Sequence, residues 1–227
     1  MTDFAAGAAP PRTAPQENTV WNGKLVRHGV AARLIHWTVA IFFILALFTG
    51  MPIWSPIFSW MGYLMGGLHV CRWLHPWVAC AFFVATIVMW THWHADMKMT
   101  EADRGWFGPK LIEYLKFSGE DPNVGKYNGG QKLFFWFALL DAILLLLTGI
   151  VLWFSTSFGA GLREASILLH DVAFILFGVA IVAHIYLGTA AEPGTFTAMS
   201  RGTVSKAWAR LHHGKWYREV TGEEKRR

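Results

Sequence analysis

Four long apolar stretches divide the chain. They cover residues 36–54 (HWTVAIFFILALFTGMPIW), 75–93 (HPWVACAFFVATIVMWTHW), 133–154 (LFFWFALLDAILLLLTGIVLWF) and 167–190 (ILLHDVAFILFGVAIVAHIYLGTA). Each is 19 to 24 residues long, and about 20 residues span the hydrocarbon core of a bilayer as a helix. A backbone in lipid must satisfy its own hydrogen bonds, so helices are expected throughout. The predicted fold class is an all-α membrane protein, a four-transmembrane-helix bundle. Pro76 is expected in the first turn of the second helix, where its missing N–H costs nothing. The sequence shows no evident internal repeat.

The polar blocks between these stretches set the expected orientation. The N-terminal block holds Arg12, Lys24, Arg27 and Arg33, and the first connection holds only Arg72. The second connection holds Lys98, Arg104, Lys110, Lys116, Lys126 and Lys132, the third only Arg163, and the C-terminal block eight basic residues. Basic residues gather on the cytoplasmic side of membrane helices. Both termini and the long middle connection are therefore expected in the cytoplasm. Trp37, Trp54, Trp60, Trp90, Trp93, Trp136 and Trp153 lie near segment ends, as an interfacial aromatic belt does. The expected layout is a disordered N-terminal tail (1–23), a membrane domain (24–191) and a basic cytoplasmic C-terminal tail (192–227). Residues 1–20 hold no apolar run of the signal-peptide kind, so the first membrane helix is expected to act as the insertion signal.

Composition agrees with this picture. The chain of 227 residues is 54% hydrophobic and only 15% charged, whereas soluble domains carry about 25% charged residues. The net charge of +5 follows from the topology pattern and gives no reason to expect nucleic-acid binding. Cys71 and Cys80 are the two cysteines, and no CxxCH string occurs. Covalent c-type haem attachment is thus excluded, and the cysteines read as small buried residues.

The candidate chemistry lies in four histidines at membrane depth: His36, His75, His170 and His184. Ionisable groups there are costly and mark function, and neutral imidazole is a natural haem-iron ligand. His36 and His184 fall near the cytoplasmic side, His75 and His170 near the outer side. On a helix, residues 170 and 184 are about 21 Å apart along the axis and differ by about 40° in direction. Both then point to one side at two levels. This predicts two haem sites, with pairs His75/His170 and His36/His184 as axial ligands to iron. Bis-histidine ligation leaves iron no open position, so such sites carry electrons. His28, His69, His92, His94, His212 and His213 read as surface histidines.

These segments also resemble a known family. RLIHWTV (33–39), RWLHP (72–76), VGKYNGGQK (124–132), LLH (168–170), AHIY (183–186) and VSKAWARLHHGKWYRE (204–219) are similar to the gamma subunit of membrane-bound respiratory formate dehydrogenase, a di-haem cytochrome b. The similarity covers roughly residues 24–220. RxxHW alone recurs in other cytochromes b, whereas GKYNxGQK with WYRE is much more specific. The resemblance implies the same four histidines as ligands to two haem b groups. It also implies a quinone pocket lined by Asn128, Gly130 and Gln131, although Asn-Gly-Gly is also a plain helix-entry turn.

The resemblance implies partners: an iron–sulfur (beta) subunit and a molybdenum or tungsten catalytic (alpha) subunit, in a bacterial inner membrane. The implied role is to pass electrons from the iron–sulfur subunit to quinone, with formate oxidation located on another subunit. A cytochrome b of a nickel–iron hydrogenase or sulfur-compound reductase, or a haem-less membrane anchor, are the alternatives. Two acids depart from the family pattern. Asp141 lies about 12 Å inward of Leu133 by helix rise. It is either part of a proton route to quinone or a protonated group bonded to a neighbouring helix. Asp171 is expected at headgroup level.

Overall fold

A computed structural model describes residues 15–104, 108 and 123–223. Its main elements are helices α1 (Val30–Trp54), α2 (Ser59–Leu64), α3 (Leu68–Trp93), α4 (Gly129–Trp153) and α5 (Ala160–Tyr186). A single π-turn, Leu187–Ala191, prolongs α5. Among the described residues, α1, α3, α4 and α5 are the helices long and apolar enough to cross a membrane. They form an all-helical membrane bundle.

The helices start earlier than the apolar stretches do, at Val30, Leu68, Gly129 and Ala160. Hydropathy marks what lies in hydrocarbon, not where helix begins. The opening turns carry Arg33, His69, Arg72, Lys132, Arg163 and Glu164, polar residues that lower hydropathy while the backbone is already helical; Lys132 is buried against Asp103. Pro76 therefore sits well inside α3 rather than in its first turn. There it leaves the Arg72 carbonyl without a helical N–H.

The bundle is two hairpins. α1 packs on α3, α4 packs on α5, and α3 meets α4 between them. The helix exteriors expose Ile41, Ile44, Val84, Leu140, Leu147, Val179 and Val182, the inside-out pattern of a lipid-facing surface. At mid-height the interior is aromatic. Phe43 and Phe177 lie 5.0 Å apart between ring centres, with Phe82 5.9 Å from Phe177.

A second core closes the end of the bundle that carries both termini. Strands β1 (Thr19–Trp21), β2 (Lys24–Val26) and β3 (Thr203–Ser205) form an antiparallel sheet in the order β1-β2-β3, with Leu25 opposite Val204. Helices α6 (Phe196–Ser200), α7 (Lys206–His212) and α8 (Gly214–Thr221) pack around it. Leu25, Val204, Trp208, Ala209, Trp216 and Tyr217 make its buried centre. The expected N-terminal tail thus gives way to a strand before residue 23, and the described part of the C-terminal tail is folded from Phe196 to Thr221. Residues 1–14 lie outside the described residues. Gly202 joins the two ends: its carbonyl accepts from Arg27 N at 2.8 Å and His28 N at 3.2 Å. Its backbone there is left-handed, φ +80°, which glycine adopts without a Cβ penalty.

Candidate functional site

The structure brings the four membrane histidines together in two pairs. His36 on α1 faces His184 on α5, with ring centres 6.1 Å apart and planes at 43°. His75 on α3 faces His170 on α5 at 6.5 Å and 78°. The first pair lies at the end that carries the termini, the second at the opposite end. Each pair links one hairpin to the other. His184 stacks on Phe134 at 4.7 Å; its side chain is exposed, while the other three are half-buried.

These separations can be tested against a bound iron. A metal–nitrogen bond of about 2 Å and about 1.1 Å from ring nitrogen to ring centre, taken on both sides, put the two ring centres about 6 Å apart. The two ring-centre separations, 6.1 and 6.5 Å, lie close to that value. Among the described residues no group of three or more His, Cys, Asp or Glu side chains converges on one point. The donor set, two neutral imidazoles, suits haem b.

The His75/His170 pair has hydroxyl partners that sequence reasoning missed. Thr49 Oγ1 lies 3.1 Å from His75 Nδ1, and Thr148 Oγ1 lies 2.8 Å from His170 Nδ1. The signal was present: Thr-Gly-X-X-X-Trp occurs at residues 49–54 and again at 148–153. The same short string thus occurs once in the first helix of each hairpin.

Asn128 and Gln131 form the entry to α4. Gln131 N donates to Asn128 Oδ1 at 2.8 Å, and Asn128 N donates to Gln131 Oε1 at 3.0 Å. This is a capping box, so the helix-entry reading of the segment holds as far as geometry goes. Each amide uses its oxygen in the cap and retains an NH2 group. Gly130 falls within the first turn. Next along, Lys132 Nζ meets Asp103 Oδ2 at 2.6 Å, both side chains buried. Burial raises the Asp103 carboxyl, and bonds from Lys132 and Thr100 more than offset it, so it stays below its ordinary value.

Two histidines expected at the surface are instead buried beside this segment, His28 and His213. His213 Nδ1 lies 2.7 Å from the Gly125 carbonyl. Burial, with the nearby Arg27 charge, pushes both imidazoles well below their usual range. Arg27 is enclosed by Tyr127, Trp208 and Trp216 at 5.1 to 5.5 Å from their ring centres. It donates to the Lys126 carbonyl, and burial lowers its pKa to about 10. Glu17 accepts from Lys126 Nζ at 2.7 Å and from Gly29 N at 2.6 Å. Burial raises its carboxyl, but those bonds bring it net below the ordinary value. His69, His92 and His94 are exposed, and His212 is half-buried.

Asp141 is buried in α4, and its Oδ2 has no hydrogen-bond partner among the described residues. The alternative of a bond from that oxygen to a neighbouring helix is not met among the described residues. Asp171 is half-buried.

Comparison with known proteins places these features in context. The model of the prokaryotic cytochrome b561 family matches residues 27–202. The cytochrome b556(fdo) subunit of formate dehydrogenase from Escherichia coli (strain K12) is 36% identical over 200 residues, covering 86% of this chain and 93% of that one. A formate dehydrogenase cytochrome b556 subunit from Haemophilus influenzae is 34% identical over 203 residues, 86% of this chain and 83% of its own. The nitrate-inducible cytochrome b556(Fdn) subunit from Escherichia coli (strain K12) is 33% identical over 204 residues, 88% and 93%.

Proposed function

Because the chain belongs to the prokaryotic cytochrome b561 family, we propose that it is the di-haem b membrane subunit of a respiratory formate dehydrogenase, taking electrons from an iron–sulfur subunit to quinone. The observation that carries this reading is the two imidazole pairs, 6.1 Å and 6.5 Å between ring centres, at opposite ends of one bundle. His36 and His184 hold one haem b, and His75 and His170 the other. Bound haem b supplies a one-electron iron couple at each level. The protein holds the two levels about 21 Å apart along α5 and fills the space between with Phe43, Phe82, Phe137 and Phe177. That apolar layer excludes water and ions between the two levels.

The distribution of basic residues supports a cytoplasmic location for both termini, and with them the His36/His184 level. Quinone is reduced there, beside the entry to α4. The amide groups of Asn128 and Gln131 donate to a quinone carbonyl, and Gly130 lets the ring approach the backbone. Protons taken up from the cytoplasm make the reaction electrogenic. The chain thus acts as the quinone-reducing subunit of the complex. Formate oxidation belongs to a molybdenum or tungsten alpha subunit, joined through an iron–sulfur beta subunit.

The test is a haem count with a reduced-minus-oxidised spectrum on the purified complex. Two b-type haems per chain are expected. His75→Ala or His170→Ala removes the outer one, and His36→Ala or His184→Ala the inner one. Absence of a b-type α band, or an unchanged haem count in all four variants, overturns the reading.

A further inference from the structure

Thr49 and Thr148 stand in the same relation to the two outer histidines. Both hydroxyls are buried, at 0% and 5% exposure. Thr49 Oγ1 donates to the Leu45 carbonyl at 2.8 Å, and Thr148 Oγ1 to the Leu144 carbonyl at 2.7 Å. A hydroxyl has one proton and two lone pairs. With its proton committed to its own helix, each threonine offers the facing imidazole a lone pair. The ring nitrogen at 3.1 Å or 2.8 Å is then the N–H, and Nε2 is the proton-free nitrogen a metal takes.

The glycine that follows each threonine gives clearance to the same ring. A Cβ on Gly50 would meet His75 Cε1 at 2.9 Å, and one on Gly149 would meet His170 Cε1 at 3.5 Å. Lone pair and clearance thus come from one Thr-Gly step, present once in each hairpin. The inner level lacks this backing: His36 Nδ1 is buried with no partner among the described residues.

We propose that Thr49 and Thr148 are positioning residues that fix the Nδ1–H tautomer and ring orientation of His75 and His170 and raise their basicity toward iron. This rests on the reading that His75 and His170 are axial ligands. Outer-sphere partners of metal-bound histidines act in this way. A stronger donor pair stabilises the oxidised iron, so the backing lowers the potential of the outer site relative to the inner. That is the order an inward-moving electron needs.

The test uses the whole complex with Thr49→Val, Thr148→Val, the double variant and the corresponding Thr→Ser variants. Redox titration of the α band and haem stoichiometry are the readouts. In the valine variants the outer midpoint moves up and the inner one stays, with the largest shift in the double variant. Haem affinity at the outer site falls about 10- to 100-fold. Serine restores the parent values. Should a valine variant fail to assemble, Thr→Ala is read in the same way. Outer midpoints and haem content unchanged in the double variant overturn the proposal, as does serine behaving like valine. The ligand reading is checked separately: if the parent lacks b-type haem, or His75→Ala and His170→Ala keep the outer haem, that reading falls first.

Discussion

His213 donates from Nδ1 to the Gly125 carbonyl at 2.7 Å, tying the C-terminal segment to the strip that leads into α4. Lys215 N and Trp216 N add bonds to the Val124 carbonyl, at 3.0 and 3.4 Å. Two strings that carry the family resemblance, VGKYNGGQK and VSKAWARLHHGKWYRE, thus meet in one contact. Replacing His213 with Ala leaves a buried carbonyl unpaired, at a cost of about 1–3 kcal/mol. The purified variant is expected to melt at lower temperature and to show a raised KM for quinone. Its haem spectrum should match the parent, because both histidine pairs are built from other elements. A KM equal to the parent's would separate the tail from the quinone site.

The same region predicts a pH dependence. His28 and His213 are held neutral by burial, with folded pKa values well below the ordinary 6.5. The unfolded chain therefore binds protons before the folded one does. Stability from these residues is full above pH 6.5 and falls as pH drops through that value toward the folded ones. Melting temperature across mildly acidic pH should fall, with a shallower slope in a His213→Gln variant. Identical slopes in parent and variant would assign the acid sensitivity elsewhere.

Hydropathy made the four spans legible, and depth made the histidine pairing legible. Each of those signals is local and periodic. The cap was not readable because its strands are three residues long and pair across most of the chain, Leu25 with Val204. His28 and His213 looked like surface residues because their burial comes from that pairing. Thr49 and Thr148 were readable in principle from the repeated Thr-Gly-X-X-X-Trp string. Inside an apolar run, though, a threonine that bonds its own helix looks the same as one that also serves a neighbour. Helix starts were missed because Arg33, Arg72 and Lys132 interrupt apolarity without interrupting the helix.

The two pairs differ in ring orientation, 78° for His75/His170 and 43° for His36/His184. When axial imidazole planes are parallel, both donate into the same iron d orbital and split the upper pair. When they are near perpendicular, the splitting largely cancels. With haem bound at both pairs as proposed, the oxidised His75/His170 site should therefore give the more anisotropic low-spin EPR signal. His75→Ala and His170→Ala should each remove that signal and leave the other. Two identical signals would contradict the ring geometry.

Asp141 carries a sharper question, because its side chain is 6% exposed and its Oδ2 is unpartnered among the described residues. A carboxyl at membrane depth needs a partner or a proton. Its position, about 18 Å from the start of α4 by helix rise, puts it between the two histidine levels. If it relays protons toward the quinone pocket, Asp141→Asn keeps size and hydrogen-bonding capacity but cannot release a proton. Quinone reduction should then slow and lose part of its pH dependence, with both haems retained. Removing the carboxyl from a purely structural role would instead leave rate and pH profile unchanged while altering the melting temperature. Measuring all three quantities on one preparation separates a proton carrier from a buried group that the bundle merely tolerates.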